Sequence, residues 1–199
     1  MRFAVLPAAG KSIRMGRPKL VLPLGDRTIL EHVVAALRQA EVEHILVVIG
    51  PHVPELAVLA EDAGALVCQL AEETADMRMT VEHGLHWLEE RFQPQPNDGW
   101  LLVPADHPTL DPGVVRQLDQ ARRTYPERSI FLPTFQGRRG HPLLLSWRHA
   151  EEIRAQPAGQ GLNIYVRQRA ADTLEVPVEM EAILWDLDTP EDYERLRRG

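Results

Sequence analysis

Apolar residues fall along this chain in short runs, and between the runs they return at the spacing of a helix face. Phe3 to Leu6, His44 to Ile49, Ala65 to Leu70, Trp100 to Val103 and Ser129 to Leu132 are strand-length apolar stretches, the pattern of strands buried on both faces. The segment Thr28–Ala40 sets Ile29, Leu30, Val33, Val34 and Leu37 on one helical face. Its opening, Thr28-Ile29-Leu30-Glu31, is a capping box. Glu55–Ala63, Thr80–Phe92 and Pro112–Tyr125 predict further helices. The alternation predicts an α/β fold: a three-layer α/β/α sandwich around a mostly parallel sheet.

After Pro133 the alternation loosens. Pro142–Leu145 and Ile183–Leu187 read as strands, and Trp147–Ala155 and Leu162–Ala171 as helices. A last helix opens at Thr189-Pro190-Glu191-Asp192, where Thr caps, Pro takes the first turn and the acids face the positive dipole end. Gln93-Pro94-Gln95-Pro96-Asn97-Asp98-Gly99 is a surface connection rather than a boundary, because strand-like sequence resumes at once. One domain over residues 1–199 is expected. Composition changes this little: 44% apolar and 26% charged residues suit a soluble protein, and a net charge of −7 speaks against a general nucleic-acid binder. The single Cys68, in an apolar run, excludes an internal disulfide and reads as a buried thiol. No apolar run approaches the roughly 20 residues that span a bilayer, and the N-terminal run is too short for a signal peptide. A cytoplasmic protein with neither membrane nor nucleic-acid partner is expected.

Local charge says more than the total. After the first strand, Leu6-Pro7-Ala8-Ala9-Gly10 keeps side chains small, so backbone N–H groups can approach phosphate oxygens. Lys11, Arg14, Arg17 and Lys19 then place four cations within nine residues of an acidic chain. The loop after a first strand is also where open α/β sheets take their ligands. Gly10-Lys11-Ser12 imitates the end of a P-loop, but Val5 stands where that motif needs Gly. The spacing of a dinucleotide fingerprint fails too, since only Gly10 and Gly16 fall here. A merely solvated basic loop is the alternative.

Two acidic segments complement the loop. Asp106, in Val103-Pro104-Ala105-Asp106-His107-Pro108, lies just past the carboxyl end of a buried strand, where magnesium could take a carboxylate beside phosphate. The alternative is a turn residue before Pro108. In Trp185-Asp186-Leu187-Asp188-Thr189-Pro190-Glu191-Asp192, a strand would put Asp186 and Asp188 on one face, with Asp188 the metal candidate and Asp186 structural. Helix capping by Thr189 and Asp192 accounts for the rest. His107 reads as a loop former or a substrate contact. Trp87, Trp147 and Trp185 read as packing.

Leu6-Pro7-Ala8-Ala9-Gly10, Arg14-Met15-Gly16 and Pro18-Lys19, followed in order by three later segments, resemble the MobA-like nucleotidyltransferases of the GT-A-like, Rossmann-like (nucleotide-diphospho-sugar transferase) fold, and most closely the molybdopterin cytidylyltransferases. The resemblance implies a nucleoside triphosphate held by Leu6, Ala8, Ala9, Gly10, Arg14 and Lys19. It implies Arg14, Lys19 and Asp106 as catalytic residues, and Mg²⁺ on Asp106 and Asp188. Ala9, where guanosine enzymes carry Gly, favours CTP. Asp76–Leu85 resembles the segment that meets base or sugar, with Arg78 and Thr80 near its small polar positions and Met79 replacing one of them; Thr80 also reads as a helix cap. Gly140-His141-Pro142 resembles an acceptor-side element, so Arg139, Gly140 and His141 are the acceptor candidates, with Arg138 beside them. A glycine-flanked basic hairpin is the alternative there. The acceptor implied is molybdopterin, with a molybdoenzyme or chaperone partner. GTP, a sugar or polyol phosphate acceptor, or a non-catalytic nucleotide or cofactor binder are the other readings.

Overall fold

The computed structural model describes residues 1–157 and 159–198. The first strand, β1 (Arg2–Ala8), leads through a loop into a small hairpin, β2 (Pro23–Leu24) and β3 (Arg27–Thr28). The chain then alternates through α1 (Ile29–Gln39), β4 (His44–Ile49), α2 (Glu55–Asp62), β5 (Leu66–Gln69), α3 (Met77–Phe92), β6 (Gly99–Leu102) and α4 (Pro112–Thr124). It continues with β7 (Ile130–Phe135), β8 (Arg138–Arg139), β9 (Leu143–Ser146), α5 (His149–Arg154), α6 (Leu162–Gln168), β10 (Thr173–Pro177) and α7 (Pro190–Arg198). The main sheet runs β10-β7-β9-β6-β1-β4-β5, with β8 paired to β7. β1 lies between β4 and β6, parallel to both, whereas β9 is antiparallel to β6 and β7. The expected mostly parallel three-layer sandwich is what forms.

Strand alternation builds two cores. Ala4 and Leu6 of β1 pack with Ile29, Val33 and Leu37 of α1 on one face. Phe3 and Val5 pack with Val81, Leu85 and Leu88 of α3 on the other. Because the strands are covered on both sides, their sequences read as unbroken apolar runs. The capping box of α1 is present, with Thr28 Oγ1 accepting from Glu31 N–H and the Glu31 carboxylate accepting from Thr28 N–H at 2.6 Å. α3 approaches the sheet through Gly84, where an added Cβ would stand 2.7 Å from Val48 Cγ2 and 3.0 Å from Val5 Cγ1. Both neighbours are stiff, fully buried side chains. Gly84→Ala is therefore expected to destabilise by about 1–3 kcal/mol, overpacking outweighing the gain in helix propensity. A urea midpoint at or above that of the parent would contradict this.

Two expectations are corrected, and one strand was not expected at all. Ile183–Leu187 is no strand: Glu181–Leu184 forms a 3₁₀ turn and the chain then runs irregularly. Its backbone groups bond to loops instead of a ladder, with His141 N–H donating to Ile183 O at 2.9 Å and Leu187 N–H to Asp106 O at 3.3 Å. The alternation that would align Asp186 with Asp188 is therefore absent. α3 starts at Met77, not Thr80, because Asp76 Oδ1 accepts from Met79 N–H at 2.9 Å and acts as the cap. β10 went unforeseen because it is a half-exposed edge strand, with only Leu174 and Val176 as apolar alternation.

Between β7 and the helices α5 and α6 runs a buried polar chain. Tyr165 O–H donates to Glu152 Oε2 at 2.8 Å, so its oxygen accepts from His149 Nδ1–H at 2.6 Å, and Ser129 O–H donates to His149 Nε2 at 2.8 Å. This order uses a neutral imidazole, and burial lowers the His149 pKa to about 4. His107, 1% exposed, is likewise lowered to about 4, mainly by burial and then by the neighbouring His141. A folded-state pKa below the unfolded value of roughly 6.5 means the unfolded chain takes up these protons first. Stability is then complete above pH 6.5 and falls as pH drops toward 4, by at most about 3 kcal/mol per histidine. Urea midpoints measured from pH 7.5 to 4.5 should fall steadily, and His149→Gln should start lower but fall less. Equal slopes for variant and parent would contradict the assignment.

Candidate active site

Parallel neighbours β1 and β6 end on the same edge of the sheet, so the loops that leave them meet there. Between them opens a cleft of about 550 Å³, lined from the loop by Ala8 to Arg14 and Lys19, and from the β6 side by Pro104, Ala105 and Asp106. The loop turns back through Ser12 (φ 52°), a 3₁₀ turn at Ile13–Met15 and Gly16 (φ 71°). Ser12 Oγ accepts from Lys19 N–H at 3.2 Å, and Met15 is buried beneath. A Cβ at Gly10 would meet no protein atom within 4 Å, so a side chain there would occupy ligand space rather than clash with the fold.

The four loop cations separate by task. The Lys19 ammonium donates to Asp106 Oδ2, to Leu187 O at 2.7 Å and to Asp188 Oδ1 at 3.2 Å. Arg14, largely exposed, bonds the same Asp188 oxygen at 3.0 Å. Lys11 pairs with Glu73 at 2.8 Å across the cleft wall. Arg17 instead lies 5.5 Å over the Tyr193 ring, away from the cleft lining. Asp106 and Asp188 thus share one ammonium although they belong to distant segments. Asp188 arrives because Leu187, fully buried, anchors the last segment in the core and bonds the Asp106 carbonyl. α7 opens with a capping box, as expected: Thr189 Oγ1 accepts from Asp192 N–H at 3.2 Å, and Asp192 Oδ2 accepts from Thr189 N–H at 2.9 Å and Asp188 N–H at 3.2 Å, so the Asp188 carboxylate is left to the cluster.

Two carboxylates and a carbonyl around one point form a hard oxygen set, which suits a divalent cation that completes its shell with phosphate and water. Among the described residues no group of three or more His, Cys, Asp or Glu side chains is arranged to hold a metal by itself. The residues therefore fit a cation brought in with a phosphate rather than a closed protein cage. Lys19 makes no hydrogen bond to Asp186; burial raises the Asp186 carboxyl pKa, with His141 pulling it back and Asp106 and Asp188 pushing it further up. His141 is itself lowered by burial, against the pull of Asp186 and Asp106.

Several sequence candidates lie elsewhere. Leu6 is fully buried in β1 and does not line the cleft. Arg78 is turned into the protein, 7% exposed, where it donates to Gln156 O at 2.9 Å and faces Glu82. Arg78 is therefore withdrawn as a nucleotide contact, because the face of α3 that carries it points to the α5–α6 connection. Thr80 does line the cleft, together with Thr74 and Met77. Arg139 is on the surface, paired with Glu175 at 2.7 Å, and Gly140 packs against Ile183 with no room for a Cβ. Arg138 is exposed on the same short strand. Of the three acceptor candidates, His141 is the one whose buried ring feels the charge of Asp186 and Asp106. Glu73 and Thr74 were missed, since the β5–α3 loop that carries them has no recognisable motif. No helix among the described residues is long and apolar enough to cross a membrane.

Known proteins resemble this chain in sequence and in fold. The family described as the MobA-like NTP transferase domain matches residues 4–173. The bifunctional protein GlmU of Leifsonia xyli subsp. xyli is 29% identical over 134 residues, 66% of this chain, which spans only 27% of that relative's length. Among solved structures, Rv0371c of Mycobacterium tuberculosis H37Rv, in complex with manganese, is 23% identical with a TM-score of 0.77 over 100% of this chain and 98% of that one. CMP:2-keto-3-deoxy-manno-octonic acid synthetase, complexed with CTP, is 15% identical with a TM-score of 0.76 over 99% and 97%. At these identities the structures establish a shared fold. The sequence match goes further: this chain belongs to the MobA-like NTP transferase domain family, and is a nucleotidyltransferase by that family.

Proposed function

We propose that the protein transfers CMP from CTP to a phosphorylated acceptor, molybdopterin, releasing pyrophosphate with Mg²⁺ as its metal. The observation that carries the reading is the meeting of Arg14, Lys19, Asp106 and Asp188 at the end of one cleft. Two cations and two carboxylates there nearly cancel, so the cluster is poised for exchange. When a triphosphate enters, Arg14 and Lys19 trade carboxylate oxygens for phosphate oxygens, which frees Asp106 and Asp188 for a cation. Those two carboxylates would hold Mg²⁺, which supplies charge neutralisation and alignment at the phosphates. An oxygen of the acceptor phosphate attacks the α-phosphorus in line. The bond from that phosphorus to the bridging oxygen of the β-phosphate breaks, and pyrophosphate leaves with the electron pair. Arg14 and Lys19 stabilise the charge that develops on it. No protein nucleophile takes part, so positioning and electrostatics carry the rate.

CTP is supported by the Ala8-Ala9-Gly10 loop and by the similarity in fold to a synthetase solved with CTP. Molybdopterin is supported by the family and by Gly140-His141-Pro142, whose His141 feels the charge of Asp106. The product would then pass to a molybdoenzyme or its chaperone. Pyrophosphate release, measured with each of four NTPs, Mg²⁺, and molybdopterin or a sugar or polyol phosphate, tests all of this at once. Release is expected with CTP and molybdopterin. Turnover only with a phosphosugar would overturn the acceptor, and turnover only with GTP the nucleotide. Tight nucleotide binding without turnover by any pair would overturn catalysis itself.

A further inference from the structure

The expectation that the tryptophans pack holds for Trp147, which is buried, and fails for Trp185, which is 39% exposed. Its exposure does not come from a loose chain. Ile183 and Leu187, on either side of it, are both buried, and each is tied through its backbone. Ile183 O accepts from His141 N–H at 2.9 Å, and Leu187 N–H donates to Asp106 O at 3.3 Å. Trp185 stands midway between these anchors, so the indole is presented from a short segment fixed at both ends. α7 braces it on one side. The Arg195 guanidinium lies 5.9 Å over the ring and is paired with Asp192 at 3.0 Å, and Asp192 is fixed in turn by the cap of its helix. A large aromatic surface held open in this way forgoes the stabilisation that burial would bring.

The indole is next to the carboxylates but outside the nucleotide cleft. Asp188 follows Trp185 by three residues, a reach of at most roughly 11 Å. Trp185 is not among the residues that line the cleft, whereas the exposed apolar side chains Ile13 and Met77 are. With a nucleotide in the cleft and its phosphates at Arg14 and Lys19, the second substrate has to reach Asp106 and Asp188 from outside it. We propose that Trp185 is the stacking platform for the acceptor, and that it selects acceptors carrying a flat conjugated ring over sugar and polyol phosphates. This rests on the reading of Asp106 and Asp188 as the centre of nucleotidyl transfer. Arg195 covers one face of the indole, and the ring of the acceptor takes the other. A flat ring desolvates an aromatic face that a hydrated polyol leaves wet, and stacking of this kind is worth roughly tenfold or more in affinity.

The test measures dissociation constants by calorimetry on the full chain, with Mg²⁺ and α,β-methylene CTP, which cannot release pyrophosphate. The acceptor probes are 6-hydroxymethylpterin phosphate, which has a flat ring, and ribitol 5-phosphate, which has none. The parent is compared with Trp185→Phe, Trp185→Leu and Arg14→Ala. The parent should prefer the pterin phosphate. Trp185→Leu should weaken that probe by roughly tenfold and leave ribitol 5-phosphate and the CTP analogue unchanged. Trp185→Phe, still a flat ring, should keep most of the affinity. A purely structural Trp185 would support the Asp188 segment, so its loss would weaken the CTP analogue and both acceptor probes alike. That result would overturn the inference, as would a parent that fails to bind the pterin phosphate or binds ribitol 5-phosphate more tightly. Unchanged pterin phosphate affinity in Trp185→Leu, with the CTP analogue still weakened by Arg14→Ala, would overturn the platform but leave the nucleotide site standing. Binding of the analogue that is indifferent to Arg14→Ala would overturn the site and the inference together.

Discussion

Asp106→Asn is expected to lower nucleotidyl transfer by roughly 10²–10³-fold, the size of effect found when one preorganised electrostatic contact to a transition state is lost. Asn keeps the shape of the side chain but removes the charge. It also turns a neutral oxygen or an amide N–H toward the Lys19 ammonium, where a carboxylate oxygen now accepts. The backbone should hold, because Leu187 N–H bonds the Asp106 carbonyl and not its side chain. The loss should fall on kcat, with the Mg²⁺ concentration for half-activity raised and metal-free nucleotide affinity little changed. Near-parental turnover at saturating Mg²⁺ would remove Asp106 from the metal site.

Lys19→Met has a second large effect, on both rate and stability. Lys19 is 16% exposed at its side chain, and among the described residues it is the one group that touches both carboxylates. Its loss leaves Asp106 and Asp188 facing each other with only Arg14 on the Asp188 side. Breaking a partly buried ion cluster from one side costs more than the cluster is worth, here about 1–3 kcal/mol at neutral pH and low salt. Transfer should fall by roughly 10²–10³-fold, because the leaving pyrophosphate loses its point charge. A divalent cation should then raise the melting temperature of the variant more than that of the parent, since it takes over the ammonium's role between the carboxylates. Equal melting temperatures with equal metal responses would contradict a shared site.

How far the chain could be read in advance depended on where each backbone finds its hydrogen bonds. β1, β4 and β6 are buried on both faces, so burial wrote them into the sequence as apolar runs. β10 is an edge strand, half open to solvent, and its alternation of two residues is too weak a signal. Ile183 to Leu187 has the composition of a strand, but its partners are the loops before β9 and after β6, and no local pattern reveals that. The site divides in the same way. Small residues, glycines and cations between Ala8 and Lys19 announce a phosphate loop by their chemistry. That Lys19 bridges two acids, 87 and 169 residues away, is a product of topology. Arg78 misled because its type suited a phosphate while its place on α3 gave it to Gln156.

The central claim is that the α-phosphorus of CTP is the atom attacked. CTP labelled at that phosphorus, turned over with Mg²⁺ and the acceptor, follows it directly. The account predicts label in the acceptor product, with one unlabelled pyrophosphate released per label transferred. Label retained in CDP, with the γ-phosphoryl group on the acceptor or in free phosphate, would contradict it.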